Sequence, residues 1–211
     1  MFQKHNPHFI TFEGGEGAGK TTLMTRLQDY LLLQGIAVFA TREPGGTPLG
    51  NAVRELLLNK HTSIPVNTHA ELFLFLASRA AHVEDLIKPE LKKGTVVLCD
   101  RFNDSTVAYQ GYARGLGMDR VRALCNEAAL GLHPDLTFYL DLPPDVGFQR
   151  MHTARREQDR MEDEEIGFHL KVREGFLKIA EQEPGRVKIL DARQPPDQVF
   201  EQMLSYLNVK V

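Results

Sequence analysis

The chain has 211 residues, a formal net charge of -3 and two cysteines. That length suits one sizeable core, and a slightly acidic balance excludes a whole-molecule positive field for nucleic acid or an anionic membrane, so any basic site is local. Cys99 and Cys125 lie in apolar stretches without metal-ligand spacing, which predicts free core thiols.

The opening MFQKHNPHF lacks the apolar stretch of a secretory signal, and no window reaches the roughly 18 apolar residues of a membrane span, so the expectation is a soluble cytoplasmic protein. Strand-like apolar runs fall at residues 9–12, 37–41, 95–99, 136–140 and 187–190, with helical patterns between them. This alternation predicts an α/β fold, a five-stranded parallel sheet flanked by helices.

The first run feeds FEGGEGAGKTT, in which Gly14, Gly19, Lys20 and Thr21 fill G-x-x-x-x-G-K-[ST]. Between a strand and a helix, such a loop turns successive N–H groups and a helix N-terminus onto phosphate oxygens. Lys20 supplies a point charge to the β and γ phosphates, and the Thr21 hydroxyl is placed for Mg²⁺. One carboxylate, Glu16, stands in this anion-binding loop.

The helix after it carries Leu23, Leu27 and Leu31 on one stripe and stops at Gly35. Thr47-Pro48 opens a second helix, and Thr68 with Glu71 reads as a capping box for a long third one. On that third helix Phe75 and Arg79 are four apart, an aromatic beside a guanidinium, as a pocket for a flat heterocycle wants.

After the strand at 95–99 come Asp100 and Arg101. A carboxylate at the C-terminal end of a parallel strand lies at the ligand edge, where it can hold Mg²⁺ or its waters, with Arg101 facing anionic oxygens. On the next helix Thr106, Tyr109 and Gln110 stand at i, i+3 and i+4 and share one face. Further helices are expected near residues 104–112, 119–130, 144–151, 164–181 and 196–207. The stretch HTARREQDRMEDEE, residues 152–165, has few apolar anchors and is either a solvated surface loop or a lid whose arginines reach a ligand on closing.

The motifs FEGGEGAGKTT, TREPGGTPLG, FLASRAAHVE, CDRFNDSTVAYQG, HTARREQDRME and LDARQPPDQV follow one another across nearly the whole chain. Together they make the sequence resemble the thymidylate kinases. The resemblance implies one P-loop nucleoside monophosphate kinase domain over residues 1–211 with a short mobile lid near 150–165, and transfer from ATP, with Mg²⁺, to dTMP. It implies no nucleic acid or membrane partner, and a homodimer.

For ATP the resemblance implies Gly14, Gly15, Gly17, Ala18, Gly19, Lys20, Thr21 and Thr22, with Arg150, Ala192 and Gln194 toward the adenine side. Metal contacts would come from Thr21 and Asp100. For dTMP it implies Phe75 stacked on thymine, Arg79 on O4, Thr106 and Gln110 on the neighbouring ring edge, and Pro44 beside the base. Tyr109 would lie against the deoxyribose, with Arg54 and Arg101 on the acceptor phosphate and Glu16 toward the sugar 3′-hydroxyl.

Some relatives place a catalytic arginine in the phosphate loop. Here that neighbourhood is Glu16-Gly17, so Arg155 and then Arg156, flanked by Arg150 and Arg160, are the candidates. Met161 and Arg193 depart from the family's pattern. Two rivals stand beside this reading: a kinase of the same fold acting on dUMP or on a nucleoside, with Glu16 as base, and a non-catalytic ATP-binding protein.

Overall fold

The computed structural model describes residues 8–61, 64–153 and 160–207. Five parallel strands form the sheet: β1 (Phe9–Gly14), β2 (Val38–Arg42), β3 (Val96–Asp100), β4 (Leu136–Asp141) and β5 (Val187–Asp191), in the order β2-β3-β1-β4-β5. All six residues of β1 are buried, as expected of a central strand covered on both faces.

The two-residue period of β1 sorts its side chains. Ile10 and Phe12 join a layer formed with Leu27 and Leu31 of helix α1 (Lys20–Leu33) and, through Met203, with the last helix of the chain. Phe9 packs on the opposite layer, and Thr11 and Glu13 share its direction. Helix α1 therefore leaves β1 toward one face, whereas the helices after β3 cover the other. Two adjacent strands whose helices diverge in this way open a crevice at their C-terminal ends.

Helix α2 (Pro48–Leu58) is capped by Thr47, whose hydroxyl accepts from the Gly50 N–H at 2.9 Å. Helix α3 (Thr68–His82) departs from the expected capping box. Asn67 is its cap, accepting from the Ala70 N–H at 2.9 Å, and Glu71 points into the protein. Asparagine caps at least as well as threonine, so the start moves back one residue and Glu71 is released.

The helix then runs into a π-helical turn, Val83–Ile87, and a short α4 (Lys88–Lys92). The segment after β3 is likewise mixed: α5 (Asn103–Thr106) passes into a π-helix, Val107–Ala113. Helix α6 is Met118–Ala128, α7 Pro144–Thr153, α8 Ile166–Gln182 and α9 Pro196–Ser205. Residues 150–153, expected at the start of a lid, thus belong to α7.

Candidate active site

A cleft of about 620 Å³ opens at the C-terminal edge of the sheet. The phosphate loop forms one wall. A β-carbon on Gly17, whose φ is 67°, would stand 2.3 Å from the carbonyl oxygen of Gly147 on α7, so two glycines bring loop and helix backbone together. Lys20 donates from Nζ to the Gly14 carbonyl at 3.1 Å and the Gly15 carbonyl at 2.9 Å. Burial, followed by the Arg101 charge, pushes the pKa of this ammonium down. The Thr21 hydroxyl donates to Asp100 Oδ2 at 3.2 Å, tying the loop to the end of β3.

Across the cleft, Glu16 is paired with Arg101. Arg101 holds a left-handed backbone, φ 68°, which a non-glycine residue keeps only where its surroundings enforce it. They do so here: the Arg101 N–H donates to the Phe12 carbonyl at 2.9 Å, and the next N–H, of Phe102, to Glu13 Oε1 at 2.8 Å. Its Nη1 reaches Ser105 Oγ at 3.1 Å, Ser105 in turn reaches Glu13 Oε2 at 2.5 Å, and the guanidinium lies 5.3 Å from the centre of the Tyr109 ring. Burial, followed by Asp104, raises the Glu13 carboxyl to about 8.

Phe75, Arg79, Pro44, Thr106, Tyr109 and Gln110 line the far end together. Arg79 is 2% exposed; its Nε donates to Glu43 Oε2 at 2.8 Å, Nη2 forms an ion pair with the same oxygen at 2.7 Å, and Nη2 donates to Thr106 Oγ1 at 3.0 Å. The other Glu43 oxygen meets His82 Nδ1 at 3.0 Å, and His82 Nε2 meets the Thr41 hydroxyl at 2.7 Å. Pro44 follows a cis peptide bond, and Arg54 Nη1 donates to its carbonyl at 3.1 Å. Gln110 Nε2 donates to Glu71 Oε1 at 3.0 Å.

Phosphate loop, Arg101 and the aromatic pocket thus share one cleft, into which Ala18, Gly19 and Thr22 also face. Arg150 joins them, donating to the Ala192 carbonyl at 3.0 Å. Ala192 and Gln194 themselves are not among its lining residues; Gln194 lies against Asp191, whose carboxylate also holds Arg193. Arg160 turns to Glu71, at 2.7 Å, and to the Leu57 carbonyl, at 2.6 Å. Arg155 and Arg156 lie outside the described residues.

The motifs singled out no role for the buried carboxylates Glu13, Glu43 and Glu162 or for Gly147, and gave Glu71 only that of a helix cap. A signal was present for two of them: Glu13 and Glu43 sit inside FEGG and TREPGG, where a carboxylate between a strand and a turn needs a partner.

The family model described as thymidylate kinase matches residues 12–203. The thymidylate kinase of Protochlamydia amoebophila (strain UWE25) is 47% identical over 210 residues, 97% of this chain and 93% of that protein. That of Desulfovibrio desulfuricans (strain ATCC 27774 / DSM 6949 / MB) is 49% identical over 203 residues, 93% of both chains. A crystal structure of thymidylate kinase from Ehrlichia chaffeensis matches with a TM-score of 0.75 at 34% identity, covering 95% of this chain and 98% of that one.

Proposed function

The chain belongs to the thymidylate kinase family, and from that premise we propose how its cleft divides between two nucleotides. The enzyme is a nucleoside monophosphate kinase: the γ-phosphoryl group of ATP passes to dTMP, giving ADP and dTDP. The observation that carries the division is the single cleft with Lys20 at one end, Phe75 and Arg79 at the other, and the Glu16–Arg101 pair between them.

ATP lies along Gly14, Gly15, Gly17, Ala18 and Gly19, with Lys20 and Thr22 on its phosphates. Lys20 leaves the Gly14 and Gly15 carbonyls for phosphate oxygens, a stronger, charge-assisted partner. Arg150 stands between this loop and the Ala192 carbonyl and marks the adenine side, toward Ala192 and Gln194. The Thr21 hydroxyl and the Asp100 carboxylate, 3.2 Å apart, are hard oxygen donors that fit Mg²⁺ and would hold it where its charge offsets that of the phosphates.

dTMP stacks on Phe75, with Arg79, Thr106 and Gln110 at the base edge, Pro44 beside the ring, and Tyr109 beneath the sugar. Arg54 and Arg101 take its phosphate, and Glu16 the sugar 3′-hydroxyl. A phosphate monoester has a second pKa near 6, so the acceptor is already largely a dianion and needs no general base. Catalysis is alignment and charge neutralisation. His82 accordingly serves structure, bridging Glu43 and Thr41.

Arg155, seconded by Arg156, is the proposed source of the charge on the transferring group, because Glu16-Gly17 puts no arginine in the phosphate loop. An arginine in that role is worth on the order of 10³-fold in rate, so Arg155→Ala should lower kcat with little change in dTMP affinity. An almost unaltered kcat would remove the assignment.

The chain reads as a single kinase domain acting as a homodimer. A cytoplasmic setting suits its nucleotide substrates and its buried free thiols, Cys99 and Cys125. Among the described residues no helix is long and apolar enough to cross a membrane. Mg²⁺–ATP assayed against dTMP, dUMP, CMP, AMP and thymidine tests the reading. Turnover of dTMP is expected; turnover of thymidine but not dTMP would overturn it.

A further inference from the structure

Glu71, freed from the helix cap by Asn67, is 1% exposed and has both oxygens occupied. Oε1 accepts from Gln110 Nε2 at 3.0 Å and Arg114 Nε at 3.3 Å; Oε2 accepts from Arg160 Nη2 at 2.7 Å and Arg114 Nη2 at 3.4 Å. A carboxylate between two guanidinium groups presents acceptors only. The Gln110 carboxamide must therefore turn its NH₂ to Glu71, because the flipped amide would set oxygen against oxygen in a buried place.

Gln110 is 2% exposed and lines the cleft, so the carbonyl oxygen of the same amide is what it offers on the cleft side. Beside it, Arg79 offers donors only, its guanidinium fixed on Glu43 and Thr106. The pocket edge thus reads donor, then acceptor.

We propose that Glu71 is a positioning residue that sets the polarity of the Gln110 carboxamide. By doing so it makes the pocket select a pyrimidine with a 4-oxo group and an N3–H over one with a 4-amino group and a bare N3. The proposal rests on the reading above that Arg79 and Gln110 meet the base edge. A 4-amino pyrimidine is mismatched twice, donor against donor at position 4 and acceptor against acceptor at N3. A bare ring nitrogen facing the Gln110 oxygen leaves both without a partner.

The test compares dTMP with its 3-deaza analogue, a 4-hydroxy-2-pyridone in which C–H replaces N3–H, at a pH where the 4-hydroxyl is ionised so that O4 still accepts from Arg79, by calorimetric binding and steady-state kinetics. Wild-type enzyme should favour dTMP by roughly 10- to 100-fold, the cost of one unpaired buried acceptor. Glu71→Gln, whose own amide accepts either orientation of Gln110, should shrink that ratio to about threefold or less through KM rather than kcat.

Gln110→Met gives the floor. Discrimination that survives Gln110→Met belongs to another residue and overturns the base reading with the proposal. Discrimination lost in Gln110→Met but intact in Glu71→Gln overturns the positioning role alone. Should Glu71→Gln not fold, the wild-type enzyme decides by ¹⁵N NMR. The Gln110 side-chain NH₂, identified by its loss in Gln110→Met, should exchange slowly and move little when dTMP binds; fast exchange or a large shift counts against the proposal.

Discussion

Glu16 is an anion in a loop built for anions, and its resolution is local. The carboxylate is paired with Arg101, so its charge is taken up before any phosphate arrives. Glu16→Ala releases Arg101 on that side while leaving the Lys20 cradle intact. Misplacing a substrate-gripping group can cost about 100-fold, so transfer to dTMP should fall by that order while ATP binding holds. A collapse of ATP affinity with intact transfer rates would make Glu16 part of the cradle instead.

Glu13 lies one step behind this pair and carries a proton-linked consequence. Burial and Asp104 raise its carboxyl from 4.5 to about 8, so the folded protein holds that proton more tightly than the unfolded chain. The stability it contributes is complete below pH 4.5 and is lost as pH rises through 8. Glu13→Gln mimics the protonated form, so the Tm of wild-type protein should decline relative to the variant across that window. Parallel Tm curves from pH 4 to 9 would show that folding leaves the Glu13 carboxyl unshifted.

At the scale of elements, the site depends on where helices approach closely. The π-helix Val107–Ala113 carries Tyr109 and Gln110, and π-helical turns recur at functional positions because they re-aim side chains. Its bed is Gly175 on α8: a β-carbon there would stand 3.1 Å from Ala108 Cα and from Tyr112 Cβ. A valine exceeds that space. Gly175→Val should cost about 1–3 kcal/mol in urea unfolding and raise KM for dTMP as Tyr109 and Gln110 shift. Unchanged stability and KM would mean that the contact yields.

Both π-helical turns lay beyond the sequence pattern, since a π turn and an α turn share nearly the same apolar spacing over one or two turns. The strands were legible to within a residue or two at each end. Their continuous apolar runs, bounded by Gly and polar turns, are what a doubly covered parallel sheet requires.

At the scale of the whole molecule, α3 buries Leu72, Leu76, Arg79 and His82 on its inner side and turns Phe73, 54% exposed, outward. Together with Ala77 at the i+4 position this makes an apolar outer stripe, the support for reading α3 as the face between two copies. If the proposed homodimer uses this face, Phe73→Glu should give a monomer in sedimentation at micromolar concentration, with the fold retained by circular dichroism. A wild-type protein that sediments as a monomer, or a variant that stays dimeric, would place the contact elsewhere.

The sequence by itself determined the order of strands and helices, the phosphate loop, and the residue types at both ends of the cleft. Those features are written in local spacing, a short Gly-rich motif between a strand and a helix, or pairs four apart on one helix face. The tertiary structure alone decided what surrounds them. It brought Glu16 to Arg101 across 85 positions and Gln110 to Glu71 across 39, and it set Gly147 against Gly17. A buried carboxylate must find its donors wherever the fold places them, and that partnership leaves no periodic trace in the chain.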